Sequence, residues 1–243
     1  MGVPSRVVLP ETLDTLDPSD PRARRARRDL RRVHVAMRTV SILRRALKRL
    51  SFATKPCQIL ELGGGDGSLL LRLAQSTRPR WANVTLTLLD RHDIVTAQTL
   101  RLYDALGWQV KVVRQDVMDW ALQSRSEHYD LAIASLFLHH FNDSMLAVLL
   151  RAVAAHCDAF VACEPRRSVM AVLGSSMIGV LGTSRVTRKD AVTSVAAGFT
   201  RRELTALWPV DIGRWSTEEF TALPFTHCFT AALERRNIAS VAS

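Results

Sequence analysis

The sequence predicts an α/β protein: a seven-stranded, mostly parallel sheet with helices on both faces, an antiparallel last strand and a helical extension at the amino terminus. Three observations carry this. A glycine-rich turn joins an apolar run to a helix within residues 58–71, and apolar runs of strand length then alternate with helical segments as far as about residue 165. Two further strand-like runs, Val210 to Ser216 and Thr226 to Ala232, form a final antiparallel pair. Strand and helix in alternation are the pattern of a parallel sheet.

The turn reads Gln58-Ile59-Leu60-Glu61-Leu62-Gly63-Gly64-Gly65-Asp66-Gly67-Ser68-Leu69. Ile59, Leu60 and Leu62 make a short buried strand, the glycines turn the chain without Cβ atoms, and Ser68 is placed to cap a helix from Leu69. A glycine loop at a helix N-terminus lets a ligand lie against bare backbone, while Glu61 just ahead can accept hydrogen bonds from a polar group. Two later strands end in acids. Val84 to Leu89 runs into Asp90, where a carboxylate can take both hydroxyls of a ribose, and Val110 to Gln115 runs into Asp116. Each acid, taken singly, also suits a solvated helix cap.

Glycines at 63, 65 and 67, with an acid two positions before the first, depart from the G-x-G-x-x-G spacing of dinucleotide turns. They resemble the first motif of class I S-adenosylmethionine-dependent methyltransferases, E/D-x-G-x-G-x-G, which implies a Rossmann-like sheet and S-adenosylmethionine as cofactor. The resemblance implies that Glu61, Gly63, Gly65, Gly67 and Asp90 hold the cofactor, that Asp116 and its neighbour Val117 stand beside the adenine, and that Ser135 borders the site. It extends over about residues 57–165.

The fourth strand, Tyr129 to Ser135, is followed by Leu136-Phe137-Leu138-His139-His140-Phe141. Ligands in open α/β sheets gather beyond the carboxyl ends of strands, so this segment faces whatever the glycine loop holds. A similar "LHHF" segment occurs in small-molecule methyltransferases, quinone-biosynthesis enzymes among them. The arginine-rich amino-terminal helix, with Asp190 to Val195 and Phe199-Thr200, is similar to bacterial methyltransferases encoded with polyketide pathways. A phenol loses its proton near pH 10, and histidine, near 6.5, is the side chain suited to take it. His139 is nominated first as that base and His140 second; the plainer alternative is that either one caps a helix or bonds the backbone.

The fifth strand, Ala159 to Cys163, leads through Glu164-Pro165-Arg166-Arg167 into an apolar helix, Ser168 to Gly182. An insertion at about 165–200 is expected to cover the acceptor pocket, lined by Met170, Leu173 and Met177, with a helix simply packed on the sheet as the alternative. Thr200 and Glu203 have the spacing of a capping box.

A chain of 243 residues, 47% hydrophobic, can bury one good core. No uncharged apolar run reaches about 18 residues and the start lacks a secretory layout, so a cytoplasmic protein is expected. Cys57, Cys157, Cys163 and Cys228 fit no zinc signature and are expected to be reduced thiols with no metal. Charge is uneven: residues 1–55 hold 14 of the 33 Lys and Arg but 5 of the 23 Asp and Glu. Residues 1–28 are expected to be an irregular basic arm and 29–55 an amphipathic helix, with Leu30, Val33, Met37, Val40, Leu43 and Leu47 on its apolar side. That helix is expected to cover the sheet or the cleft; its arginines would also suit RNA or an anionic membrane surface. The resemblance implies that residues 56–243 form the methyltransferase domain.

The expected function is O-methylation of a small phenolic, quinone-like or polyketide-derived acceptor. An RNA methyltransferase, an NAD(P)-binding oxidoreductase and a non-catalytic binding protein are the alternatives. No Asn/Asp-Pro-Pro-Tyr/Phe tetrapeptide follows the fourth strand, so no specific nucleic acid partner is expected. Oligomeric state is not fixed by the sequence.

Overall fold

The computed structural model describes residues 5–50, 56–77, 81–123 and 126–234, except for the side chains of Ser176, Met177 and Leu181. After α1 (Thr12–Thr15), α2 (Pro21–Ala36) and α3 (Thr39–Arg49), strands and helices alternate. The series is β1 (Gln58–Leu62), α4 (Ser68–Ser76), β2 (Val84–Asp90), α5 (Ala97–Asp104), β3 (Trp108–Arg114), α6 (Val117–Leu122), β4 (Leu131–Ser135), α7 (Asp143–His156) and β5 (Ala159–Pro165). Then come α8 (Val169–Ser176), a 3₁₀ turn (Met177–Leu181), α9 (Arg185–Ala196), α10 (Glu203–Leu207), β6 (Trp215–Ala222) and β7 (Thr226–Leu233).

Successive side chains of a strand point to opposite faces, and here both faces are apolar. Ile59, Leu86, Ile133 and Val161 pack on one side with α3, α4 and Tyr103. Leu60, Leu89, Ala132 and Phe160 pack on the other with Trp120, Leu149 and Leu204. The order is β3-β2-β1-β4-β5-β7-β6, with β7 antiparallel to both neighbours, which is the predicted sheet. Reversal of strand order between β1 and β4 opens the crevice beyond their carboxyl ends in which ligands of such sheets bind.

Several local expectations change. The single helix expected from residue 29 is two, and the first begins at Pro21, whose ring suits a first helical position, with the Asp20 carboxylate accepting from Arg22 N–H. Residues 21–28, expected to be irregular, are therefore helical. Arg38, at φ 56°, breaks the run before α3. Strand β6 starts at Trp215, five residues later than Val210, which is 92% exposed in a loop. Ser68 is the first residue of α4 and not its cap; Gly67 holds that position at φ 70°, and the Asp66 carboxylate accepts from Ser68 N–H. Half of the expected capping box forms: Glu203 accepts from Thr200 N–H, but α10 begins only at Glu203.

Candidate active site

A cavity of about 1120 Å³ lies beyond the carboxyl ends of β1, β2 and β4 and beneath α1, α2, α8 and α9. Glu61, Gly63, Gly65, Asp90, Asp116, Val117, Ser135, His139 and His140 all line it, so the parallel strands bring residues 79 positions apart to one place. Gly67 does not. Its carbonyl accepts from the Tyr103 hydroxyl and its environment is Leu88, Thr99 and Tyr103, so it shapes the turn from behind. Gly63 has a steric reason to lack a side chain: at φ 69°, a Cβ there would collide with the Phe137 ring.

The wall built from β1, β2 and β4 has unspent bonding capacity. Glu61 is 3% exposed, and burial, with Asp66 and Asp90 nearby, raises its carboxyl well above the usual range. Glu61 Oε2 and Ser135 Oγ have no hydrogen-bond partner among the described residues. Buried polar atoms are seldom left unpaired, so these two suit a polar ligand. Asp90 accepts from Gly65 N–H (2.9 Å) and His92 N–H (2.8 Å), which fixes its carboxylate at the cavity while leaving further lone pairs. Asp116 caps α6 through Met118 N–H and still borders the cavity, so its capping role and its place in the site coexist. An acidic, partly unsatisfied wall fits the amino and hydroxyl groups of S-adenosylmethionine.

Across the cavity the two histidines have different surroundings. His139 is buried between two carboxylates, with Nδ1 2.7 Å from Glu164 Oε2 and Nε2 3.3 Å from Glu11 Oε1. Burial by itself would lower its pKa; the bonds to Glu11 and Glu164 outweigh that and hold it at about 9. At neutral pH it is an imidazolium with both nitrogens donating, so it has no lone pair with which to accept a proton. His140 Nδ1 lies 3.1 Å from Asp14 Oδ2, and Asp14 is held below the usual carboxylate range: burial opposes this, but bonding to His140 and the charge of Arg91 prevail. A carboxylate only accepts, so Nδ1 is the donor in the His140–Asp14 contact.

Glu164 was read in the sequence only as a carboxylate ending a strand. It is wholly buried and accepts from the backbone N–H groups of Phe137 and Leu138, both at 3.0 Å, as well as from His139. The loop after β4 is thus tied down from the next strand. Register holds the clue: Ser135 pairs with Cys163, which puts Glu164 beside the loop that leaves β4.

Glu11 and Asp14 were read only as acids of an irregular arm. The arm is fastened across the cavity. The Arg6 guanidinium donates to Ala197 O (2.8 Å), Phe141 O (2.7 Å) and Asp143 (2.9 Å) and lies over the Phe199 ring. Asp190 of α9 accepts from Thr12 and Leu13 N–H, Glu11 also bonds Ser194, and Arg91 donates to Asp14. Helix α2 is joined to the start of α9 through buried Asp29, which accepts from Ser184 N–H and the Thr187 hydroxyl.

The α8 lining is out of phase with the expectation. Ala171, Gly174, Ser175 and Ile178 face the cavity, whereas Met170 and Leu173 are 66% and 56% exposed and point away. Residues 171, 174 and 175 share one face of α8, continued by Ile178 of the 3₁₀ turn, and α9, against which α8 packs, sets which face turns inward. The side chain of Met177 lies outside the described residues.

Residues 59–159 match a family model described as a methyltransferase domain. The seven-stranded sheet, the strand-end acids on the cavity and this match agree on a methyltransferase domain over residues 59–159. Among solved structures, the plantazolicin methyltransferase BpumL in complex with SAH is similar at 15% identity and a TM-score of 0.63, over 89% of this chain and 92% of that one. An O-methyltransferase family protein from Burkholderia thailandensis is similar at 14% identity and 0.61, over 90% of this chain and 61% of that one. At these identities the likeness is one of fold. No curated protein sequence matches the chain.

Proposed function

We propose that this enzyme O-methylates a small phenolic, quinone-like or polyketide-derived acceptor in the cytoplasm, with His140 as the base and Asp14 as its positioning partner. The observation that carries the reading is the His140–Asp14 pair at 3.1 Å on the wall of the cavity. Phe137, Phe141, Met145, Leu13 and Phe225 also line that cavity, giving an aromatic acceptor an apolar bed. Ligand pockets run to about 300–1,000 Å³, so a cavity somewhat above that range suits a cofactor together with a compact acceptor.

On this reading Glu61, Asp90, Asp116 and Ser135 hold S-adenosylmethionine, which when bound supplies an electrophilic methyl on sulfur. His140 Nε2 takes the phenol proton as the oxygen–carbon bond forms and the sulfur–carbon bond breaks; Asp14 keeps the imidazole oriented and stabilises its protonated form. The arm carrying Glu11 and Asp14 forms part of the cavity wall around this chemistry. Specific RNA is not part of this reading, because no Asn/Asp-Pro-Pro-Tyr/Phe tetrapeptide follows β4.

The test is incubation with S-adenosylmethionine and a panel of substituted phenols, hydroquinones, amines and RNA, read by mass spectrometry. Methylated phenolic oxygen is the expected product. Methylation confined to amines or RNA refutes the reading.

A further inference from the structure

Helix α8 faces two ways. Its inner face lines the cavity, while Val169, Met170 and Leu173 of its outer face are more than half exposed. The turn between β6 and β7 abuts it, the Phe225 ring standing close to Gly174, and adds Leu223 at 81% exposed. Val180 of the following 3₁₀ turn is 83% exposed, and the Arg188 side chain lies along neighbouring Gly179. Scattered exposed apolar residues are ordinary; several on one helix and its adjoining turn are not.

The charge around this patch has one sign. Residues 166–189 contain five Lys and Arg and no Asp or Glu. Arg166, Arg185, Arg188 and Lys189 are exposed at its ends, and the arginine-rich α2 is fastened to α9 beside it through Asp29. Apolar side chains projecting from a basic surround match the boundary of an anionic bilayer, where the apolar groups enter the acyl region and the cations meet headgroup phosphates. A water-soluble protein partner of ordinary composition would leave the cations unmatched.

We propose that the outer face of α8, with Leu223 and the surrounding cations, docks the enzyme on an anionic membrane surface. This goes beyond the basic-helix contact considered from sequence: α8 inserts, and the arginines supply attraction. No described helix is long and apolar enough to cross a membrane, so the attachment is peripheral. The docked face is the back of a cavity wall.

Co-sedimentation of the full chain with vesicles tests this. Phosphatidylcholine vesicles containing phosphatidylglycerol are expected to retain the protein, pure phosphatidylcholine to retain at least tenfold less, and added salt to weaken retention. The double variant Met170→Gln/Leu173→Gln is expected to lose vesicle binding tenfold or more while keeping S-adenosylhomocysteine affinity and melting temperature, since both side chains face solvent. Arg185→Gln/Lys189→Gln is expected to lose the preference for anionic lipid. Absence of binding to anionic vesicles, or undiminished binding by the Met170/Leu173 variant, overturns the proposal. So does light scattering that shows a dimer dissociated by that variant, because the patch is then covered by a second copy of the chain.

Discussion

The Nδ1 of His140 stands 3.1 Å from the Oδ2 of Asp14, a residue 126 positions earlier in the chain, and the arm that brings Asp14 there also lines the cavity. The catalytic proposal therefore depends on an element outside the matched domain, residues 59–159.

Replacing His140 with Ala is expected to lower single-turnover methyl transfer by about 10² to 10⁴, the usual contribution of a general base, with S-adenosylhomocysteine affinity kept. Asp14→Asn is expected to slow transfer less and to shift the pH–rate profile, because the amide can no longer favour the Nδ1–H form. Rates measured across pH for both variants decide; an unchanged His140→Ala rate removes the residue from the chemistry.

Glu164 answers a different measurement. Removing one partner of a buried ion pair costs roughly 3–5 kcal/mol, which at about 2–4 °C per kcal/mol for a chain of this size lowers the melting temperature by on the order of 10 °C. Glu164→Ala is expected to show this, and also to lose the anchoring of Phe137 and Leu138 N–H. A melting temperature within 2 °C of wild type, to take a rough limit, would contradict a structural role for the pair.

His139 sets a pH dependence of stability. Its pKa is raised in the folded state to about 9, so its contribution is fully present below the unfolded value near 6.5 and is lost as pH rises through about 9. Glu11 and Glu164 are depressed, against the effect of burial, by their bonds to His139, so their contribution is present above their unfolded value and fades as pH falls. Thermal melts are expected to plateau between about pH 5 and 6.5 and to decline toward pH 10, with a flatter alkaline limb in His139→Gln. An alkaline limb unchanged in that variant excludes His139 as its source.

Cofactor binding is expected to move a proton. Glu61 is raised well above the carboxylate range, and an ammonium group drawn to Oε2 favours its ionised form, so binding releases a proton. Titrating S-adenosylhomocysteine at neutral pH in phosphate and in Tris should give different apparent enthalpies, and Glu61→Gln should abolish the difference. Equal enthalpies in the wild-type protein count against this role.

Asp90→Ala is expected to weaken S-adenosylhomocysteine by about 1.5–3 kcal/mol, or roughly tenfold or more, since hydrogen bonds to a charged group are lost. Unchanged affinity would place the ribose elsewhere.

What the sequence determined by itself was the part governed by local rules. Strand-length apolar runs, the glycines at 63, 65 and 67, and acids at three strand ends specify a mostly parallel sheet and one wall of the cavity, because period, turn chemistry and strand polarity are properties of neighbouring residues. The tertiary structure decided the opposite wall. His139 and His140 are adjacent and chemically identical, and only the approach of Glu164 from β5 and of Glu11 and Asp14 from the arm makes one a buried imidazolium and the other the candidate base. The inward face of α8 was likewise settled by packing: its small and apolar residues run all round, so their spacing could not tell Ala171 and Gly174 from Met170 and Leu173 until α9 and the β6–β7 turn fixed its rotation. Ionisation and helix phase are set by groups distant in sequence, whose electrostatic and packing energies have no local signature.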